Sequence, residues 1–200
     1  PKLSSNWRTR IPEQAALVAA FFKRMPQHMQ QLPKDEDKRS GPWPSLRSWH
    51  SLAVPMLAAC ADTKQGWDMK MLLLQGSVGV GTAQEFITWV KSLDLPDPED
   101  LLKNPGKFKV YHERPDKTFA VLNGVIGAAV RDLTPERWKA GWDVLSRAAK
   151  DNAMDLAAAA ARNLAMARNG QNLPLYPELM EPFMPLLNAQ RALRERMKQK

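Results

Sequence analysis

Hydrophobic residues recur along most of this chain at alternating steps of four and three, the spacing of one face of an α-helix. The first such stripe consists of Ile11, Ala15, Val18, Phe22 and Met25. The short apolar run at 71–74 could alternatively form a buried strand, but no second β-branched run exists to pair with it. The pattern therefore predicts an all-α fold, a helical bundle of about eight helices.

Helix starts and stops are marked by recognisable residues. Pro26 ends the first stripe, and Ser45 opens a helix that Pro55 must kink because proline lacks a backbone N–H. Thr82 and Glu85 have the spacing of a capping box, and Thr134 precedes a proline at the first helical position. Further helices are predicted over 64–74, 97–102, 119–130 and 154–167, with Gly170 as a C-terminal cap, and from about Leu186 onward.

A charged stretch near 104–117 separates two groups of predicted helices. We take it as the boundary between a helical domain over 1–103 and an additional helical region over 104–200, which could pack on the first.

Net charge is less informative than its value of +8 suggests, because the excess lies at the two ends. The first ten residues carry three cations and no acid, and residues 189–200 carry five cations against Glu195, which leaves +1 for the rest. A nucleic-acid binder usually presents a basic face or stripe. The distribution therefore argues against a nucleic-acid partner.

Cysteine content and hydropathy exclude several classes of protein. Cys60 is the only cysteine, so no disulfide forms within the chain and a zinc cluster is disfavoured. No apolar run is long enough to span a membrane, and the N-terminus does not resemble a signal peptide. The chain starts at Pro1 and not at methionine, so we expect a segment of a longer, cytoplasmic protein.

The glycine-rich segment 76–82 invites comparison with a P-loop. In that motif a lysine reaches the phosphates and the following hydroxyl binds magnesium. Here Thr82 occupies the lysine position, and the preceding segment is predicted to be helical. We interpret the segment as a glycine turn that leads into a helix.

Arg47 lies in the first turn of the helix that Ser45 opens, where a cation is electrostatically unfavourable. A nearby anion would reverse that cost, and a phosphate suits free N–H groups at a helix start. The alternative is an ion pair with a local acid, for instance one within 35–37.

Two stretches resemble the C-terminal helical lid of MoxR-like AAA+ ATPases. The first is the tryptophan-containing basic lead-in over 2–26, and the second is Pro44-Ser45-Leu46-Arg47-Ser48-Trp49. The stretch 76–98 is similar to the continuation of bacterial members. The resemblance covers roughly residues 2–103.

The resemblance implies a set of roles. In that family, the arginine of the pattern P-S-x-R-[SA]-W is the sensor 2 arginine, which contacts the γ-phosphate of ATP. That role falls on Arg47, with Ser45 as the helix cap, and the nucleotide pocket would also touch Arg10 and Ile11. ATP and magnesium would be bound with an upstream AAA+ core, which holds the P-loop, so this segment alone would neither hydrolyse ATP nor bind these cofactors.

The implied partners are the protein's own upstream core, neighbouring subunits of a ring, and a protein client that the chaperone-like ATPase remodels. Two other functions stay open. One is a non-enzymatic scaffold or adaptor whose tryptophan-rich grooves bind a partner helix. The other is a DNA-associated helical protein that uses the basic ends.

Overall fold

The computed structural model describes residues 6–168, 171–189 and 192, and within these ranges the chain forms helices and no strand. The all-α class is therefore confirmed. The α-helices are α1 Trp7–Arg24, α2 Leu46–Ser48, α3 Val54–Ala59, α4 Lys64–Val78, α5 Val80–Ser92, α6 Pro98–Lys103, α7 Pro115–Arg131, α8 Pro135–Lys150, α9 Met154–Ala167 and α10 Pro177–Met180. Shorter elements are 3₁₀ turns at Pro26–His28, Glu36–Ser40, Pro105–Lys107 and Glu181–Phe183, a π-helical turn at Trp49–Ala53, and helical residues over 184–189.

The chain divides into two compact units, Pro1–Leu95 and Pro96–Lys200. The sequence placed the division after residue 103 and so assigned α6 to the first part. In the structure α6 belongs to the second unit, where it packs against α7 and α8.

An aromatic cluster forms the core of the first unit, in which α1 packs against α3 and α4 against α5. Phe21 lies at its centre and is fully buried. Four rings have centroids within 5.9 Å of the Phe21 ring, namely those of His28, Trp49, Phe86 and Trp89. The buried face of α1 is therefore centred on Val18 and Phe21, and Phe22 is only half-buried.

A π-helical turn interrupts the helix that Ser45 opens. The Val54 N–H bonds to the carbonyl of Trp49, five residues back, just before Pro55. The wider turn is compatible with the absence of a backbone N–H at Pro55. It also changes which side chains face the core. Leu52 in this turn is 45% exposed, whereas Leu57 on α3 is buried.

Helices α4 and α5 are joined through a single residue, Gly79, whose φ is 86°. Only glycine adopts such a φ readily, and a Cβ there would lie 3.0 Å from the Pro42 carbonyl oxygen. The helix therefore starts at Val80 with Gly79 as its N-cap, three residues before the predicted N-cap Thr82. The capping box expected at Thr82 and Glu85 is wrong, because both residues already lie inside α5.

The second unit is built around α7, α8 and α9, which pack on one another. Thr134 caps α8 as predicted, accepting a hydrogen bond from the Arg137 N–H at 3.3 Å. Trp138 and Trp142 are fully buried on α8 with their rings 5.6 Å apart, and the alanines at 157, 160 and 161 allow α9 to approach closely. The predicted cap Gly170 and the basic residues of the tail from Arg191 lie outside the described residues.

Among the described helices, none is both long and apolar enough to cross a membrane.

Candidate functional site

The helix bearing Arg47 begins with a reciprocal capping box. The Ser48 N–H donates to Ser45 Oγ at 3.0 Å, and the Ser45 N–H donates to Ser48 Oγ at 2.9 Å. Ser48 Oγ in turn donates to the Trp43 carbonyl at 3.0 Å. Ser45 is thus the helix cap that the sequence predicted, and the segment before it is fixed to the first turn.

Arg47 is exposed on this first turn. Within the described residues its guanidinium has no hydrogen-bond or ion-pair partner. Of the local acids considered as partners, Asp35 pairs with Lys38 at 2.6 Å and Glu36 with Arg39 at 3.5 Å, and among the described residues none of the three acids at 35–37 pairs with Arg47. The positive charge of Arg47 is therefore available to a ligand.

Arg47 lines an open cavity of about 580 Å³, here called the Arg47 cavity. Its walls come from the segment before the helix, from the exposed side of the helix itself and from the end of α4. The lining residues are Ser40, Gly41, Pro42, Trp43, Ser45, Arg47, Ser48, Ser51, Leu52, Gly76 and Ser77. None of these carries a carboxylate, so an anion entering the cavity meets one cation and several hydroxyl groups.

Arg10 and Ile11 do not line this cavity. The Arg10 guanidinium instead donates to the carbonyls of Ala58 and Cys60, at 3.3 and 2.9 Å, and pairs with Asp62 at 2.5 Å. It thereby satisfies carbonyls at the C-terminal end of α3. Ile11 is half-buried on α1. The structure brings Ser45 and Arg47 together and holds Arg10 in a separate, structural set of contacts.

A buried lysine shares the Asp62 carboxylate with Arg10. Lys70 is 1% exposed, contacts Asp62 through Nζ, and lies 4.1 Å from the centre of the Trp67 ring. Nearby, burial raises the pKa of the Cys60 thiol, against the opposing effect of Lys70 and Arg10. The thiol form is thus favoured, and Cys60 is a core residue.

A second cluster, which no sequence pattern indicated, surrounds His28. His28 Nε2 lies 2.8 Å from Glu85 Oε2, and Nδ1 lies 3.2 Å from Thr82 Oγ1. The His28 carbonyl also accepts from Trp49 Nε1 at 2.8 Å. These contacts tie the turn after α1 to α5, and they explain why Thr82 and Glu85 are spaced three residues apart without capping a helix. Thr82 and Glu85 follow His28 by 54 and 57 residues, so no local sequence pattern indicated these contacts.

Comparison of the chain with protein-family models, with curated proteins and with solved structures gives no match.

The Arg47 cavity fits one part of the ATP and magnesium site that the resemblance implies. An unpaired arginine binds phosphate through charge-assisted hydrogen bonds. Magnesium requires oxygen ligands, usually one or two carboxylates in addition to phosphate oxygens. Because no carboxylate lines the cavity, residues outside it would have to hold the metal.

Proposed function

We propose that this chain is the nucleotide-sensing helical lid of a MoxR-like AAA+ ATPase, with an additional helical unit after it. An upstream core would bind ATP and magnesium through its P-loop and a carboxylate. Arg47 would contact the terminal phosphate, and the movement of the lid would couple hydrolysis to the remodelling of a protein client. The complete protein would act as a ring in the cytoplasm.

One observation carries this proposal. Arg47 is an exposed cation without a partner in the described part of the chain, and it lies on a first helical turn that Ser45 and Ser48 fix in place. Stabilisation of the charge on a transferring phosphoryl group is the main contribution that proteins make to such reactions. An arginine held at the wall of an acid-free cavity suits that task.

The adaptor alternative receives less support. It required tryptophans to line grooves for a partner helix, but Trp49, Trp89, Trp138 and Trp142 are all buried in the cores of their units. The DNA-binding alternative relied on basic ends, most of which lie outside the described residues.

The proposal is tested in the full-length polypeptide by replacing Arg47 with alanine. We expect ATP turnover to fall by about tenfold or more, because one charge-assisted contact to the reacting phosphate is lost. The thermal unfolding temperature should stay unchanged, since the Arg47 guanidinium makes no hydrogen bond or ion pair with the described residues.

Lys91→Ala is the matched control, because Lys91 is an exposed cation on α5 of the same unit that lies away from the cavity. Equal turnover in the Arg47→Ala variant and the wild type would refute the role. So would the finding that the upstream sequence contains neither a P-loop nor a strand ending in Asp-Glu.

A further inference from the structure

Thr82, His28 and Glu85 form a chain of hydrogen bonds that the proposed lid has no use for. The two bonds, 2.8 Å from His28 Nε2 to Glu85 Oε2 and 3.2 Å from Nδ1 to Thr82 Oγ1, fix the proton positions. A carboxylate only accepts hydrogen bonds, so Nε2 carries the ring proton and donates to Glu85. In the neutral ring Nδ1 is then an acceptor, and the Thr82 hydroxyl donates to it.

Packing holds the His28 ring in this orientation. The ring lies 5.4 Å from the Phe21 ring at an interplanar angle of 26°, and the side chain is only 8% exposed. A hydroxyl, an imidazole that can take its proton and a carboxylate that orients the imidazole are the three parts of a nucleophilic triad. Here Nδ1 faces the hydroxyl and Nε2 faces the carboxylate, and either ring nitrogen can act as a base.

All three side chains line one cavity of about 570 Å³, here called the His28 cavity. Its volume lies in the range of pockets that enclose small-molecule ligands, roughly 300–1,000 Å³. The lining also includes the apolar side chains of Leu32, Trp43 and Val80. Leu32 and Val80 are more than half exposed, so an apolar ligand would remove their surface from water.

The first turn of α5 places backbone donors beside Thr82. Its N-cap, Gly79, makes no side-chain cap, and the N–H groups of residues 80–82 have no hydrogen-bond partner among the described residues. Residues 79–82 line the His28 cavity. Free N–H groups at a helix start stabilise an oxyanion that develops next to them.

We propose that the first unit hydrolyses esters of apolar carboxylic acids in the His28 cavity, with Thr82 as the nucleophile and His28 as the general base. Glu85 is a positioning residue, because it acts on the substrate only through His28. This activity is separate from the nucleotide contact of Arg47, which does not line the His28 cavity.

The reaction has two halves. Thr82 Oγ1 attacks the ester carbonyl carbon while its proton passes to His28 Nδ1, and the resulting oxyanion accepts from the free N–H groups of α5. The bond to the alcohol oxygen then breaks, and that oxygen takes the proton from Nδ1. Water attacks the acyl-Thr82 ester and gives a proton to Nδ1. The acid leaves, and Thr82 Oγ1 regains the proton.

The test measures hydrolysis of p-nitrophenyl butanoate by the 200-residue chain. We expect a burst of p-nitrophenolate and a butanoyl group on Thr82, located by mass spectrometry. Thr82→Val keeps the side-chain shape but lacks the hydroxyl, so it should lose the burst and about 100-fold or more of the turnover. Thr82→Ser retains a hydroxyl and should retain both.

The role of Glu85 needs a readout that a structural effect would not give. In Glu85→Gln the amide can donate to Nε2 and move the ring proton to Nδ1, which then cannot accept from Thr82. We expect kcat to fall about tenfold or more with KM unchanged. Thr88→Val is the matched control, because Thr88 is exposed on α5 and does not line the His28 cavity. It should hydrolyse the ester at the wild-type rate.

Three results would overturn the inference. One is hydrolysis by Thr82→Val at the wild-type rate. Another is a butanoyl group on any residue other than Thr82. The third is a wild-type chain that shows neither a burst nor an acylated residue. Circular dichroism of each variant shows whether a lost activity reflects a lost fold, and Thr82→Ser then decides whether the hydroxyl itself is required.

Discussion

Three glycines of the first unit differ in whether the structure requires a residue without a Cβ at their position. At position 79 the positive φ of the backbone requires glycine. Gly66 is required by space, because a Cβ there would lie 2.0 Å from the Ala61 carbonyl oxygen. Gly76 is required by neither, since it lies within α4 with open space around it.

These differences predict opposite effects on stability. Gly66→Ala should lower the free energy of unfolding by about 2–3 kcal/mol, because backbone atoms must move to relieve the clash. Gly76→Ala should raise it by about 0.5–1 kcal/mol, because alanine loses less backbone entropy in a helix. Chemical denaturation of the two variants, followed by circular dichroism, measures both changes. A stabilising Gly66→Ala change would contradict the close approach of the Ala61 carbonyl.

At the scale of elements, one carboxylate connects three helices of the second unit. Glu99 on α6 accepts two hydrogen bonds from Arg137 on α8, at 2.7 and 2.9 Å, and one from Arg131 on α7 at 3.2 Å. Arg137 also donates to the Ala128 carbonyl at 2.7 Å, near the end of α7. The hydrogen bonds from Arg137 hold the pKa of Glu99 below its usual range.

This connection should make stability depend on pH. A carboxyl group whose pKa is lowered by folding stabilises the native state above its unfolded-state pKa, and that contribution is lost as the pH falls through the lower, folded-state value. Glu99→Gln should therefore destabilise the chain by about 1–2 kcal/mol near neutral pH. The difference from the wild type should shrink on acidification below about pH 4.

Asp143→Asn provides the control on the same helix bundle. Asp143 pairs with Arg147 at 2.8 Å on the exposed side of α8, and surface pairs of this kind contribute little. Urea denaturation at a series of pH values measures both variants. A Glu99→Gln effect that stays constant from neutral to acid pH would mean that the charge of Glu99 is not what connects the helices.

Elements were predicted best where local signals and packing agree. The Ser45 cap, the Thr134 cap and the helix over 154–167 depend on a few neighbouring residues, and the structure contains all three. The prediction failed where a contact distant in sequence decides the outcome. Thr82 and Glu85 match a capping box, but Gly79 and the approach of Pro42 start the helix earlier and direct both side chains towards His28.

The candidate site was predicted in the same uneven way. Arg47 was identifiable because a cation in a first helical turn is anomalous. The contacts of Arg10 were not predictable from the sequence. Nothing near Arg10 indicates that its guanidinium bonds to carbonyls and a carboxylate about fifty residues later.

At the scale of the whole molecule, the position of the division between the two units has a measurable consequence. Leu101 and Leu102 of α6 are buried, and Glu99 bonds to α7 and α8. A fragment over 104–200 should therefore be less stable than a fragment over 96–200, by about 3–6 kcal/mol for the two leucines alone. Thermal unfolding of both fragments tests this, and equal unfolding temperatures would favour a boundary after residue 103.

The π-helical turn at Trp49–Ala53 has a consequence for Arg47 that contacts alone do not reveal. The Arg47 guanidinium has no hydrogen-bond or ion-pair partner among the described residues, so its direction depends on the number of residues between it and the core-facing part of α3. Each residue of a regular helix rotates the chain by about 100°. Loss of a single residue from this turn would turn Arg47 away from its cavity with its sequence motif intact, so the length of the segment specifies the site as much as the arginine does.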